Sequence, residues 1–454
     1  MTSALPFTDE LHAALGGAPD HLAALSDTGE GDLPSVYRVT DLAVAAIGVA
    51  GLAASELVGS VTGSAPAVAV DRALASTWFG SAVDPIGWTL PSVWDPLARN
   101  YRASDGWIRL HTNAPHHRAA ALAVLGGTGD FFAVRRAVGH RSAVELETAI
   151  VDAGGCAAVM RSPEQWLAHP QGAAVAQEPL LDWATGEAGA RGLSWTISPS
   201  SPLGGLRVLD LTRVIAGPVA TRFLAALGAD VLRVDPPGWE EEAIVPNMTL
   251  GKRSARLDAK TPAGRDRLSE LIRRADVVVH GYRAGALDAL GFDAETRQRL
   301  RPGLIDVSLD AYGFTGPWAG RRGFDSLVQM SSGIPEAGMA WAQSAEPTPL
   351  PVQALDHATG YLLAAAAMRA LSMQREDGPG RQVRTSLARV AMTLVNGGPQ
   401  RIDGPLVERS PATELLATPW GPAMMLRSPV DIAGTPFEFT RGPCELGSHP
   451  PQWD

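Results

Sequence analysis

The sequence predicts an α/β protein in which a doubly wound parallel sheet and a small α+β domain are joined by long helices. Three observations carry that prediction. From Leu203 to Ser332, short β-branched runs alternate with amphipathic helical stretches, the pattern of βαβ units. Two long Ala-rich runs, starting near Asp41 and Asp356, have the length and composition of buried helices. Between Asp105 and Leu181 lies a separate compact set of strand and helix signals. A chain of 454 residues also exceeds the roughly 250 to 300 residues that one core usually organises.

Residues 1–33 read as an N-terminal tail, and residues 34–104 as a long helix with its connector. The run from Leu42 to Val58 is apolar but contains Glu56, and it falls short of the ~20 residues that span a bilayer, so a buried helix is expected. The small α+β domain, 105–182, begins with the strand GWIRLH. It continues with a helix opening near Pro115, a helix from Ser142 to Ala153 and a turn at Gly154 and Gly155. Residues 183–202, rich in Gly and Ser, read as a linker.

In residues 203–395 the strands are LRVLDL, DVLRVD, DVVVHG and LIDVSL, with helices expected at Val219–Leu227, Thr261–Ala275 and Ala294–Leu300. The alternation is Rossmann-like. A long helix from Asp356 to Met373 follows, broken at Gly378 to Gly380. Residues 396–454, with many prolines, are expected to wrap over the other elements. Asp41 precedes Val68 by the same 27 positions that separate Asp356 from Val383, which suggests an ungapped internal repeat.

Net charge is −10, with only 19% charged residues, so neither nucleic acid nor an anionic membrane is an expected partner. Two distant cysteines, Cys156 and Cys444, imply neither disulfide nor metal site. The acidic start MTSALPFTDELHAALGG lacks the basic n-region of a signal peptide, and a cytoplasmic location is expected.

Several chemistries lack their sequence signals. After LRVLDL the turn TRVIAGPVATRF has one glycine where a dinucleotide fingerprint needs three, which disfavours NAD and FAD. Neither HExxH nor GxSxG occurs. The cationic segment GKRSARLDAK, with Lys252, Arg253, Arg256 and Lys260, suits a phosphate-bearing ligand or a solvated surface. Gly281, Tyr282 and Arg283 end a strand at the carboxyl edge where open α/β sheets bind ligands, and Arg322 adds a cation. Asp356 heads the long helix, where a carboxylate serves as helix cap, as nucleophile, or as both. His357 beside it reads as packing or surface.

The ordered motifs PLGGLRVLDLTRVIAGPVATRFLAALGADVLRVDPPG, GKRSARLDAKTPAGRDRL, ADVVVHGYRAGALDALGFD, RPGLIDVSLDAYGFTGP and RGFDSLVQMSSG resemble the amino-terminal half of the family III coenzyme A transferases. That resemblance implies an enzyme in which an aspartate at the long helix, here Asp356, forms an aspartyl-CoA thioester. It implies CoA contacts at Ile215 and Ala216, at Leu257, Asp258, Ala259 and Lys260, at Gly281, Tyr282 and Arg283, and at Arg322, Gly323, Phe324 and Asp325. Coenzyme A or acyl-CoA would arrive as substrate, with a carboxylic acid as its partner and no permanently bound cofactor. An interlocked homodimer is implied as well.

This chain departs from the family in three places. Phe324 stands where the racemases of the family carry a histidine, which favours transfer over racemisation. Ala289 replaces a residue that is basic in many members. The segment Pro34 to Leu181, with DGWIRLH and SPEQWLAHPQG, resembles the small domain that usually follows the long helix, so the order of halves is rearranged. A truncated tandem fusion would explain this, with Asp41 the vestigial counterpart of Asp356 and serving as a cap. An acyl-CoA racemase or epimerase and a non-catalytic CoA-binding paralogue remain the alternatives.

Overall fold

The computed structural model describes residues 5–127, 129–189, 195–238, 240–400, 405–407 and 414–453. Its main sheet has seven strands, in the spatial order Arg253–Arg256, Asp230–Asp235, Arg207–Leu211, Val277–His280, Ile305–Asp310, Pro379–Ser386 and Asp182–Ala188. The first six run parallel, and the last is antiparallel. Numbered along the chain, the six parallel strands lie in the doubly wound order 3-2-1-4-5-6. The order reverses between Arg207–Leu211 and Val277–His280, which is where such sheets open a ligand crevice.

Alternation within each strand builds two cores. Val208, Val231, Val277 and Val279 face the helix Ala216–Ala226 and the long helix Ala354–Asp377. Leu209, Leu211, Leu232 and Val278 face the helix Pro262–Arg274. Both sheet faces are therefore covered, as the continuous apolar strands require.

Two sequence expectations change, and the expected break at Gly378 holds. The GKRSAR segment is the edge strand Arg253–Arg256 rather than a free cationic loop. Lys252 is buried, and its ammonium donates to Asp210 at 2.9 Å and to Thr221 at 2.6 Å. Arg253 pairs with Asp230 at 2.8 Å, and Arg256 pairs with Glu240. Residues 182–188, mostly expected in a linker, form the antiparallel edge strand, and Thr196–Ser198 with Ser201–Gly204 form a hairpin. The break at Gly378 leads directly into the sixth strand of the sheet.

The small domain packs helices Pro115–Leu125, Phe131–Gly139 and Ala143–Asp152 against an antiparallel sheet of Asn100–Arg102, Trp107–Leu110 and Ala157–Val159. Cys156 and Ala158 of this domain pack on Leu327 and Met330, in the helix Asp325–Ser332. The helix Val39–Thr62 is apolar and long enough to cross a membrane, but most of its residues are buried inside the protein, largely against Ala354–Asp377.

The repeat suggested by spacing extends through consecutive elements. Helices Val39–Thr62 and Ala354–Asp377 both have 24 residues and end at glycines, Gly63 and Gly378. Their N-caps, Arg38 (φ −75°, ψ 63°) and Gln353 (φ −77°, ψ 65°), share one conformation. Val68 pairs in parallel with Leu25 and in antiparallel with Ile432, just as Val383 pairs with Val307 and Trp183. The three-stranded sheet Leu25–Thr28, Val68–Asp71 and Val430–Ile432 thus reproduces one edge of the main sheet.

Candidate active site

Asp356 is the third residue of the helix Ala354–Asp377, and Gln353 occupies the N-cap. The capping role goes to another residue. The Asp325 carboxylate accepts the N–H groups of Leu355 at 2.9 Å and Asp356 at 3.0 Å, and its other oxygen accepts from Gln329 at 2.5 Å. Among the described residues no hydrogen bond reaches the Asp356 carboxylate itself. That side chain is therefore not consumed by capping, and it sits at a helix N-terminus whose dipole favours negative charge.

Burial and the nearby Asp325 charge push the Asp356 carboxyl well above the usual carboxylate range. Burial also raises Asp325, to about 6, against the N–H donors that stabilise its charge. Asymmetric hydrogen bonding separates the two acids: Asp325 has the donors that hold an anion, and Asp356 takes up the proton more readily.

Two cavities meet at Asp356, and Val214 and Phe324 line both. One, of about 320 Å³, is cationic: Arg213, Arg283, Arg321, Arg322, His116 and His117 line it with Ala216, Gly281, Tyr282 and Gly323. The other, of about 400 Å³, is lined by Trp94, His111, Asn113, Ile215, Ile244 and Asp325, among others. Of the residues the resemblance singled out, the structure brings together Ile215, Ala216, Gly281, Tyr282, Arg283, Arg322, Gly323, Phe324, Asp325 and Asp356. Leu257, Asp258, Ala259 and Lys260 line neither cavity. They form the turn after the edge strand, where Asp258 accepts from the Lys260 N–H at 3.0 Å. Tyr282 is partly tied to the fold, its hydroxyl donating to Val234 O at 3.3 Å.

Sequence reasoning missed the contribution of the small domain. His111, at the end of the strand signal GWIRLH, stacks on Phe324 with ring centroids 3.8 Å apart and planes within 9°. His117 meets the same ring edge-on at 5.8 Å, and among the described residues neither of its ring nitrogens has a hydrogen-bond partner. Burial, reinforced by His116, lowers His117 to about 4, and burial with Arg109 lowers His111 well below its ordinary value, so both are neutral at pH 7. The aromatic at position 324 was the available signal, since a flat apolar ring needs a stacking partner. His357 is core packing: it stacks on Phe79 at 5.2 Å, and burial lowers it to about 3.

Val214 gave no sequence signal at all. Its φ of 64° lies in the left-handed region, a rare conformation for a β-branched residue. The Val214 N–H donates to Glu241 at 3.0 Å, and Glu241 is itself fixed by Arg213 at 3.0 Å and Arg233 at 3.3 Å. Backbone strain held in place by a buried ion network, in a residue that lines both cavities, is a pattern that clusters at functional sites.

Asp41 occupies the same helical position in the repeat, but it is neutralised. Arg72 reaches Asp41 at 2.9 Å, Asp32 at 2.7 Å and Asp27 at 3.4 Å, so Asp41 serves as an ion-pair partner rather than a cap. In the register of the repeat Arg72 corresponds to Leu387, which lines the cationic cavity beside Asp356. An arginine thus occupies one copy where the other leaves its aspartate with no ion-pair partner among the described residues.

Comparison with known proteins finds similarity to acyl-CoA and CoA transferases. The chain is 33% identical over 214 residues to the probable fatty acyl-CoA transferase Rv3272 of Mycobacterium tuberculosis, covering 44% of this chain and 54% of that one. It is 34% identical over 215 residues to human succinyl-CoA:glutarate CoA-transferase, covering 43% and 48%. The crystal structure of Rv3272 matches at 33% identity with a TM-score of 0.41, covering 44% of this chain and 59% of that one. The chain spans about half the length of these relatives. The sequence model of CoA-transferase family III matches residues 203–401 of this chain.

Proposed function

We propose that the chain is a CoA-transferase that moves CoA from an acyl-CoA thioester to a carboxylic acid through Asp356. The observation that carries this reading is a buried carboxylate, relieved of capping by Asp325, at the meeting point of a cationic and a largely apolar cavity. Phosphates and pantetheine of CoA suit the cationic side, where Arg213, Arg283, Arg321 and Arg322 supply charge. The acyl group would lie on the other side of Asp356.

In this scheme Asp356 first gives up its proton to solvent, its carboxylate oxygen attacks the thioester carbonyl, the C–S bond breaks, and CoA thiolate leaves a mixed anhydride. The thiolate then attacks the aspartyl carbonyl, forming aspartyl-CoA and releasing the first acid. An incoming carboxylate reverses both steps and departs as the new thioester, with no net redox change. The helix Ala216–Ala226 begins at the cavity wall, and its first N–H groups, which have no partners within the helix, can serve the tetrahedral oxyanions. A homodimer of such chains in the cytoplasm belongs to the same proposal.

The test is chemical trapping. Incubation with an acyl-CoA and then hydroxylamine should yield a hydroxamate at Asp356, located by mass spectrometry, and D356N should yield none. Absence of any adduct across a broad acyl-CoA panel would exclude covalent transfer.

One observation favours a second reading, reversible α-proton exchange on an acyl-CoA. His117 is a neutral imidazole with no hydrogen bond among the described residues, in the same cavity as Asp356, and it would supply the base that Phe324 cannot. Deuterium incorporation at the α carbon without CoA transfer would establish that reading.

A further inference from the structure

We infer that the acid handled at Asp356 is a monocarboxylic acid with an uncharged, apolar body, and that dicarboxylic acids are excluded. The inference rests on the transfer reading of Asp356. Its ground is the distribution of charge between the two cavities. Among the described residues all four arginines that line either cavity lie on the side assigned to CoA. The 400 Å³ cavity has no lysine or arginine in its lining, and its volume falls within the roughly 300–1,000 Å³ of small-molecule sites.

Trp94, Val214, Ile215, Ile244 and Phe324 give that cavity apolar walls. His111, neutral, presents a flat ring stacked on Phe324 and set edge-on to Trp94 at 5.9 Å. Its charged lining is wholly acidic, comprising Asp95, Glu240, Glu241, Glu242, Asp325 and Asp356. The cations nearest these acids are already engaged outside the lining: Arg256 with Glu240, Arg213 and Arg233 with Glu241 and Arg118 with Asp95. Arg109 lies over the Trp94 ring at 4.6 Å and donates to Asn100.

A thioester acyl chain with a terminal carboxylate would therefore meet a lining whose charges are all carboxylates, Glu240 and Glu242 at its exposed mouth and Glu241 and Asp325 in its buried part, with Arg109 offsetting Asp325 only from outside the lining. An alkyl or aryl chain of the same length loses nothing polar and buries apolar surface. Human succinyl-CoA:glutarate CoA-transferase is named for dicarboxylates. This chain, on the lining of its cavity, has the opposite preference.

The experiment compares hexanoyl-CoA with glutaryl-CoA, two thioesters of similar length that differ by the terminal charge. Dissociation constants are measured by calorimetry on D356A, which cannot turn over either ligand, with free CoA as reference. Hexanoyl-CoA should bind at least tenfold more tightly than glutaryl-CoA, and E242K should narrow that ratio several-fold. Equal or tighter binding of glutaryl-CoA would overturn the inference, as would hexanoyl-CoA binding no better than CoA alone. Trapping on the wild-type chain separates the two claims. Tight hexanoyl-CoA binding without an aspartyl adduct removes the transfer reading and leaves the preference standing, whereas an adduct formed preferentially from glutaryl-CoA does the reverse.

Discussion

Asp325 decides what Asp356 can do. Asp at a helix start is commonly the cap, and here the cap hydrogen bonds are supplied by a different aspartate, 31 positions earlier in the chain. The freed carboxylate has a thermodynamic consequence. Because its folded-state pKa is raised, the folded protein binds a proton that the unfolded chain releases above about pH 4. The stability linked to this group is complete below pH 4 and is lost as pH rises towards the folded pKa. Asn cannot ionise and should escape the loss. D356N is therefore expected to be the more stable protein at pH 7, by about 1 kcal/mol, and to lose its advantage near pH 4. Thermal melts of both proteins across that range check the sign, and a constant gap would mean that Asp356 titrates normally.

At the scale of elements, most of the main sheet was legible because its strands are continuous β-branched runs separated by amphipathic helices. The strands that escaped have physical reasons for doing so. Arg253–Arg256 contains no β-branched residue and holds its place through the Arg253–Asp230 ion pair. Asp182–Ala188 is a polar edge strand, half exposed, whose pairing with Pro379–Ser386 is set by tertiary context. The site was half legible. Asp356 and the strand-end residues follow from motif and topology, whereas Val214 is defined by a backbone angle and His117 by packing across domains.

The repeat was visible in spacing, but the difference between its copies was not. Arg72 at the end of Val68–Asp71 binds three carboxylates, from Asp27, Asp32 and Asp41, with its own side chain mostly buried. Replacing it by the residue of the other copy, R72L, takes the arginine from Asp27 and Asp32 and leaves Asp41 only Arg38, at 3.8 Å. Loss of about 3 kcal/mol is expected, the lower range for breaking a buried pair. Urea unfolding would read it as a lower midpoint at unchanged slope. An unaltered midpoint would show that Arg72 is not what holds the first copy together.

At the scale of the molecule, the front and the rear of the sequence supply the two walls of the site within one chain. Trp94, His111 and His117 come from the front of the sequence, and Val214, Phe324 and Asp356 from the rear. The joint between them is made by buried and half-buried groups. Glu147 of the small domain pairs with Arg161 at 2.7 Å and with Arg321 at 3.1 Å, and Arg322 donates to Gly154 O at 2.9 Å. The helices Val39–Thr62 and Ala354–Asp377, one from each copy of the repeat, pack against each other within the same chain. A second chain, present or absent, is then not required to complete the cavities around Asp356. Obligate dimers whose sites span the interface lose activity on dilution below their dissociation constant. This protein should instead keep a constant rate per chain from micromolar to nanomolar concentration, whatever assembly light scattering reports over the same range. A rate per chain that falls with dilution, in step with a fall in mass, would show that a partner supplies part of the site.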